Sequence, residues 1–179
     1  WGRVGAGQVQ PGTPVQIFPS GQLATVAQVL DHARRATNVG AGTSAGIILD
    51  REVDVSRGDW IVAAPVPATP AEDDFDTPAA VPAWPGQREL RATVAWMDDE
   101  ALVAGRVYWA LHGHRWVKAK VKRVVHKLDI NTLAEEDASQ LEPNAIGHVE
   151  LLLQEPLPTA PFARSRVLGA LILVDTASH

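Results

Sequence analysis

Residues 46–61 read Gly46-Ile47-Ile48-Leu49-Asp50-Arg51-Glu52-Val53-Asp54-Val55-Ser56-Arg57-Gly58-Asp59-Trp60-Ile61. The run Ile47 to Leu49 predicts a short buried strand, because β-branched side chains fit a pleated surface. Asp50, Arg51, Glu52 and Asp54 then bring the chain to the surface, while Val53 and Val55 are free to face inward. Arg57-Gly58-Asp59 predicts a tight turn: Gly accepts positive φ, and an Asp carboxylate bonds nearby backbone. Trp60, Ile61 and Val62 start the next strand. Strand, polar elbow, Gly turn, strand is how a small β-barrel closes its last two strands.

Outward from this stretch, residues 1–64 read as all-β. Gly2, Gly7 and Gly12 recur at five-residue spacing before Pro14-Val15-Gln16-Ile17-Phe18. Such punctuation forbids a helix and suits a sharply turned barrel. Pro19-Ser20-Gly21 predicts a hairpin turn. Strands are expected at Leu23–Leu30, at Arg34–Val39 and, after Gly40-Ala41-Gly42, at Thr43–Leu49. Residues 65–88 carry Pro65, Pro67, Pro70, Pro78, Pro82 and Pro85 beside the acids Glu72, Asp73, Asp74 and Asp76. A segment this poor in apolar surface cannot offset its ordering entropy, so it reads as an extended, mobile linker.

Residues 89–179 read as a second all-β unit, giving two small β-barrels joined by a Pro-rich linker. Leu90–Met97 predicts a strand ended by Asp98-Asp99-Glu100. Arg106–Leu111 and Arg115–Asp129 predict a hairpin around His112-Gly113-His114. Within it, Val117, Ala119 and Val121 alternate with Lys118, Lys120 and Lys122, a period of two with one solvated face. Leu133–Asn144 reads as turns with one helical turn, Ile146–Gln154 as a strand, and Pro156–Pro161 as a loop. Val167–Val174 is apolar on both faces and predicts a central strand.

The 179 residues carry a net charge of −5, are 46% hydrophobic and 21% charged, and contain no cysteine. That composition is ordinary for a globular protein. It excludes disulfides and Cys-ligated metals, and the acidic balance disfavours a nucleic-acid binder. No apolar run reaches the roughly 20 residues that span a bilayer, and residues 1–20 lack the apolar core of a signal peptide. The expected location is the cytoplasm, with no membrane partner. Trp1-Gly2-Arg3 is strand-like at once and has no initiator Met, so the chain reads as a piece of a longer protein.

The string Asp50-Arg51-Glu52-Val53-Asp54-Val55-Ser56-Arg57-Gly58-Asp59 after an aliphatic run resembles the end of the second domain of the GTPase (large) subunits of sulfate adenylyltransferases. These belong to the translation-factor GTPase superfamily together with elongation factor Tu. Gly7, Val9, Gly12, Val15 and Pro19-Ser20-Gly21 resemble the start of that domain. The third domain is resembled, in order, by Trp96-Met97-Asp98, Asp129-Ile130-Asn131-Thr132, Asn144-Ala145-Ile146-Gly147, and Arg164-Ser165-Arg166 with Gly169 and Leu171-Ile172-Leu173-Val174-Asp175. Ala145 stands where the family has Glu, Ser165 where it has Asn, and Leu171 where it has Phe. The family crosses residues 65–88 with a shorter linker, and continues past Thr176 with a closing strand.

The resemblance implies that the parent forms adenylyl sulfate and pyrophosphate from ATP and sulfate, coupled to GTP hydrolysis. It implies partners: the parent's own GTPase domain, holding GTP and Mg, and a small catalytic subunit, holding ATP. Fusion to an adenylyl-sulfate kinase occurs in part of the family. The phosphate loop G-x-x-x-x-G-K-[ST] does not occur in this sequence, so no catalytic or cofactor-binding residue is expected in these barrels, whose role would be contacts between domains and subunits. The alternatives are the tRNA-gripping barrels of an elongation factor and a free-standing interaction module.

Arg115, Lys118, Lys120, Lys122, Arg123 and Lys127 form a basic ribbon with no acid from Ala101 to Leu128. It is the candidate docking surface for an acidic partner, against the plainer reading of an edge strand guarded by lysines. Trp109 and Trp116 are expected in the core. His112 and His114 are two imidazoles with no third ligand in sight, so a solvated hairpin tip is expected there, with no metal; His126 and His148 read as lone surface residues. The carboxylates Asp50, Glu52, Asp54, Asp98, Asp99 and Glu100 read as solvated turns, and Arg57-Gly58-Asp59 as a turn rather than an adhesion tripeptide.

Overall fold

The structure, a computed structural model, describes residues 1–64 and 85–177. The expected linker lies outside these residues, apart from its last four positions. The described residues form two compact units: Trp1–Gly86 with Pro158–Gly169, and Gln87–Leu157 with Ala170–His179. Both are built from antiparallel strands, as the Gly/Pro spacing and period-two patterning demand.

In the first unit the strands are β1 (Gly2–Arg3), β2 (Gln8–Val9), β3 (Pro14–Phe18), β4 (Leu23–Leu30), β5 (Val39–Gly40), β6 (Ser44–Leu49) and β7 (Trp60–Ala63). They pair in the order β1-β6-β4-β3-β7, with β2-β5 as a separate ribbon. Val15, Val26, Val29, Val39 and Ala45 fill the core, with Val53 packed beside them. Each such burial contributes about 1.5–3 kcal/mol relative to exposure. The Gly turn forms as expected: Gly58 has φ 99, and the Ser56 N–H donates to the Asp59 carboxylate at 2.8 Å.

The elbow it ends does something different from the expectation. β6 and β7 do not pair with each other; β6 pairs with β4 and β1, and β7 pairs with β3 at the far end of the sheet. The polar residues 50–56 therefore carry the chain across the end of the sheet. Asp50 anchors the crossing by accepting the Thr25 N–H at 2.8 Å. Val55 stays 42% exposed rather than turning inward. The strand expected at Arg34–Val39 is also replaced. Asp31 accepts the N–H groups of Ala33 and Arg35 at 2.8 and 2.9 Å, and this Asx turn leaves Val39–Gly40 as the strand.

In the second unit the strands are β8 (Gln87–Ala95), β9 (Leu102–Val103), β10 (Val107–His112), β11 (Arg115–Leu128), β12 (Glu135–Glu136), β13 (Gln140–Leu141), β14 (Ile146–Leu157) and β15 (Ile172–Asp175). The sheet order is β15-β10-β11-β14-β8, with β12 added to β11 and β9-β13 as a second ribbon. Trp96, Leu102, Tyr108, Val121, Leu141, Val149 and Leu151 form its core. The two-residue turn Gly113-His114 joins β10 and β11, as the sequence predicts.

Three expectations are corrected here. Val167–Val174 is not one central strand: Arg166–Gly169 is a single helical turn, and β15 is an edge strand. A Cβ on Gly169 would lie 2.5 Å from Phe162 Cα, so the chain folds back tightly there instead of extending. Leu133–Asn144 holds β12 and β13 rather than a helical turn. β14 continues through Pro156 to Leu157, because Leu157 is fully buried in a cluster with Ala110, Val117, Ala119 and Leu153.

The motif residues of the second unit are structural fasteners. Asp129 Oδ1 accepts the N–H groups of Asn131 and Thr132 and the Thr132 hydroxyl, at 2.7–2.9 Å. Those bonds, led by the Thr132 N–H, hold its carboxyl below the usual range. Asn144, at φ 64, donates its N–H to the Trp96 carbonyl, whose own N–H reaches Ala145. The Trp96 indole N–H reaches the Glu100 carbonyl at 2.6 Å.

Candidate functional site

Strand β11 carries all six expected docking residues, and its surroundings decide which of them are available. It is the middle strand of its sheet, between β10 and β14. That removes the edge-guard explanation at Lys120, which pairs with β10 and β14 on its two sides, while Arg115–Lys118 pair with β10 alone. Register then sorts the cations. Val107, Trp109 and Leu111 lie opposite Lys120, Lys118 and Trp116, and Val174 and Ile172 lie opposite Trp109 and Leu111. These residues share the outer face, because neighbours across a ladder point the same way. Arg115 and Lys127 lie on the other face, opposite the buried His112 and Gly147.

Most of the ribbon is already neutralised. Arg115 pairs with Glu155 at 2.6 Å, Lys122 with Glu89 at 3.1 Å, Arg123 with Glu150 at 2.8 Å, and Lys127 with Glu136 at 2.9 Å. No acid pairs with Lys118 or Lys120 among the described residues. The Lys118 ammonium lies 5.6 Å from the centre of the Trp109 ring, a cation–π approach. Lys120 stands between Val107 and Leu152.

Around these two lysines the face is apolar. Trp116 is 50% exposed and Ile172 59%, with Val107 and Leu152 also exposed. Trp109 is half-buried on the same face, so neither tryptophan is in the core as expected; Tyr108 and Trp96 are the core aromatics, in edge contact with each other. Aromatic and aliphatic side chains around two cations suit a protein surface that is apolar with an acidic margin. The alternation of β11 pointed to the lysines. Trp116 continues that alternation on β11 itself; the rest of the apolar face was invisible in sequence, because β10, β14 and β15 supply it.

Beside this patch, Glu150 is clamped by Arg123 through two bonds of 2.8 and 2.9 Å and by Arg91 at 3.0 Å. The Arg123 fork, then Arg91, lowers its carboxyl from 4.5 to about 2. A depressed carboxyl contributes stability fully above its unfolded value, and loses it as pH falls towards the folded value. The stability gap between wild type and Glu150→Gln is therefore expected to shrink as pH falls from about 5 to about 2. Thermal unfolding across that range checks this, and a gap independent of pH would refute it. The effect is small, since the arginines are largely solvated.

The other singled-out residues lie apart. His112 is buried and His114 exposed, so they do not form a two-imidazole face. Glu100 pairs with Arg106, which also binds the buried Asp175 at 2.7 Å. Residues 47–55 border an open depression of about 580 Å³ in the first unit, lined by Ile47, Leu49 and the elbow side chains. His126 and His148, expected to be lone, are in contact across β11 and β14.

Two β-units of this pattern are the fold of the C-terminal domains of translation-factor GTPases. A crystal structure of Sup35 complexed with GMPPNP matches 97% of the chain, and the chain 40% of it, with TM-score 0.76 at 16% identity. Residues 89–179 match the family described as GTP-eEF1A C-terminal domain-like, and the chain belongs to that family. Among sequence relatives, the Xylella fastidiosa protein named bifunctional enzyme CysN/CysC is 35% identical over 99% of this chain and 26% of its own length. The Laribacter hongkongensis protein named sulfate adenylyltransferase subunit 1 is 30% identical over 99% of this chain and 34% of its own. The chain thus spans about a quarter to a third of these relatives.

Proposed function

We propose that this chain is the two-barrel part of the GTPase subunit of a sulfate adenylyltransferase, and that its outer β10–β11–β15 face docks the subunit that transfers the adenylyl group. The reading is carried by one observation: relatives named sulfate adenylyltransferase subunit 1 align over 99% of the chain, through both units. In this reading ATP and sulfate give adenylyl sulfate and pyrophosphate on the small subunit. GTP and Mg belong to the parent's GTPase domain, and the setting is the cytoplasm. Rigid β-units suit the transmission of a nucleotide state to a neighbouring domain. No helix among the described residues is long and apolar enough to cross a membrane.

An elongation factor is the weaker reading. The likeness to Sup35 lies at 16–19% identity and shows the fold alone. The chain's net charge of −5 also opposes a tRNA grip. The test is exchange: this chain replaces the matching segment of the Laribacter hongkongensis relative, and pyrophosphate release from ATP and sulfate is followed with and without GTP. GTP-dependent release supports the reading. A folded, GTP-hydrolysing chimaera that forms no adenylyl sulfate with the small subunit overturns it.

A further inference from the structure

We infer that His126, Glu135 and His148 form a binding site for a divalent transition-metal ion of the zinc class, fastening β12 to the sheet. Three strands contribute, and the backbone is arranged to bring them together. His126 lies opposite His148 in the β11–β14 ladder, directly after a register shift between Val124 and His126. By period two, residue 126 would share the inward direction of Val124. The extra residue, Val125, turns His126 to the outer face, where His148 also points. Bulges re-aim side chains in this way. Glu135 lies opposite Leu128 in the β11–β12 pairing, which places it diagonal to His126.

The donor atoms converge. His126 Nε2 lies 2.5 Å from His148 Nδ1 and 3.4 Å from Glu135 Oε1. All three donors fall within 4.8 Å of one another. Metal–ligand bonds of about 2.0–2.1 Å at a tetrahedral angle put two donors roughly 3.3 Å apart. The His126–Glu135 separation already has that value, and the two imidazoles need only part by under about 1 Å. Their rings meet at 71° rather than stacking, so both nitrogens can face one point. His126 is only 14% exposed, while Glu135 is 68% exposed. The imidazoles are thus fixed in the sheet and the carboxylate can close over an ion.

Two imidazoles and one carboxylate are a zinc-type donor set that leaves a fourth position for water or a partner's carboxylate. The neighbouring charges do not compete for it: Arg123 is taken up by Glu150, and Lys127 by Glu136 on the other face.

The experiment uses the 179-residue chain, free of any affinity tag, titrated with Zn²⁺ by calorimetry and with Co²⁺ by visible absorption. One ion per chain is expected, with the intense bands of four-coordinate cobalt. Glu135→Gln, a change at an exposed position, and His148→Gln should each weaken binding at least ten-fold. They should also abolish the rise in Tm that Zn²⁺ gives the wild type. His114→Gln, at the exposed hairpin turn, should change neither. Absence of saturable binding overturns the site, as does binding that survives both Glu135→Gln and His148→Gln or that is lost in His114→Gln.

Discussion

Replacing Gly147 with alanine is expected to destabilise the second unit by about 3 kcal/mol, at the upper end of ordinary overpacking. A Cβ built there would stand 2.5 Å from Leu141 Cδ2, 2.6 Å from the His126 carbonyl oxygen and 3.2 Å from Lys127 Cα. Two of these obstacles are backbone, and Leu141 is fully buried, so no flexible side chain can give way. Relief requires β11 to move off β14, beside the bulge that positions His126. Gly2→Ala is the control: it has nothing within 4 Å and should change stability by less than about 0.5 kcal/mol. Exchange protection of β11 and β14 amides reads the second unit by itself, where a whole-chain transition would mix two units. A Gly147→Ala chain as protected as the control would show that the ladder absorbs a methyl group.

The Gly147 position shows how far the sequence could be read. The run Asn144-Ala145-Ile146-Gly147 was legible as a family motif. That the glycine faces Leu141 and the His126 carbonyl was not, because both contacts are made across the sheet. The same limit explains the central strand that became an edge. Val167–Val174 is apolar throughout, and only the close approach of Gly169 to Phe162 breaks it. Local chemistry was read well: the Gly58 turn, the Leu23–Leu30 strand and the β10–β11 hairpin each depend on residues adjacent in sequence. Pairing was read poorly. The β6–β7 stretch looks like two neighbouring strands, yet its partners, β4 and β3, lie far upstream. His126 and His148 were missed for the same reason, being 22 residues apart and joined by a bulge that leaves no compositional trace.

Trp116→Ala is expected to weaken binding of the small adenylyl-transferring subunit by about 2 kcal/mol or more, roughly 30-fold. The reason is geometric. Trp116 is half exposed at the hairpin end of the outer face, with Leu111 and then Ile172 beside it across the ladder and Lys118 next along β11. A large rigid aromatic in that position gains most from desolvation when a partner covers it. The lysines should behave differently. Lys118→Glu with Lys120→Glu removes two cations that no acid neutralises among the described residues, so it should slow association, and the loss should fade as salt screens the pair. Lys122→Glu should do little to partner binding, because Lys122 already serves Glu89 within the sheet. The measurement is association and dissociation rates of the parent subunit with its small subunit across a salt series. Trp116→Ala should appear mainly as faster dissociation at every salt concentration. The double lysine reversal should appear mainly as slower association at low salt. Equal effects of Lys122→Glu and of the Lys118/Lys120 reversal would show that net charge, and not this face, governs docking. An unchanged dissociation rate for Trp116→Ala would place the partner elsewhere on the chain.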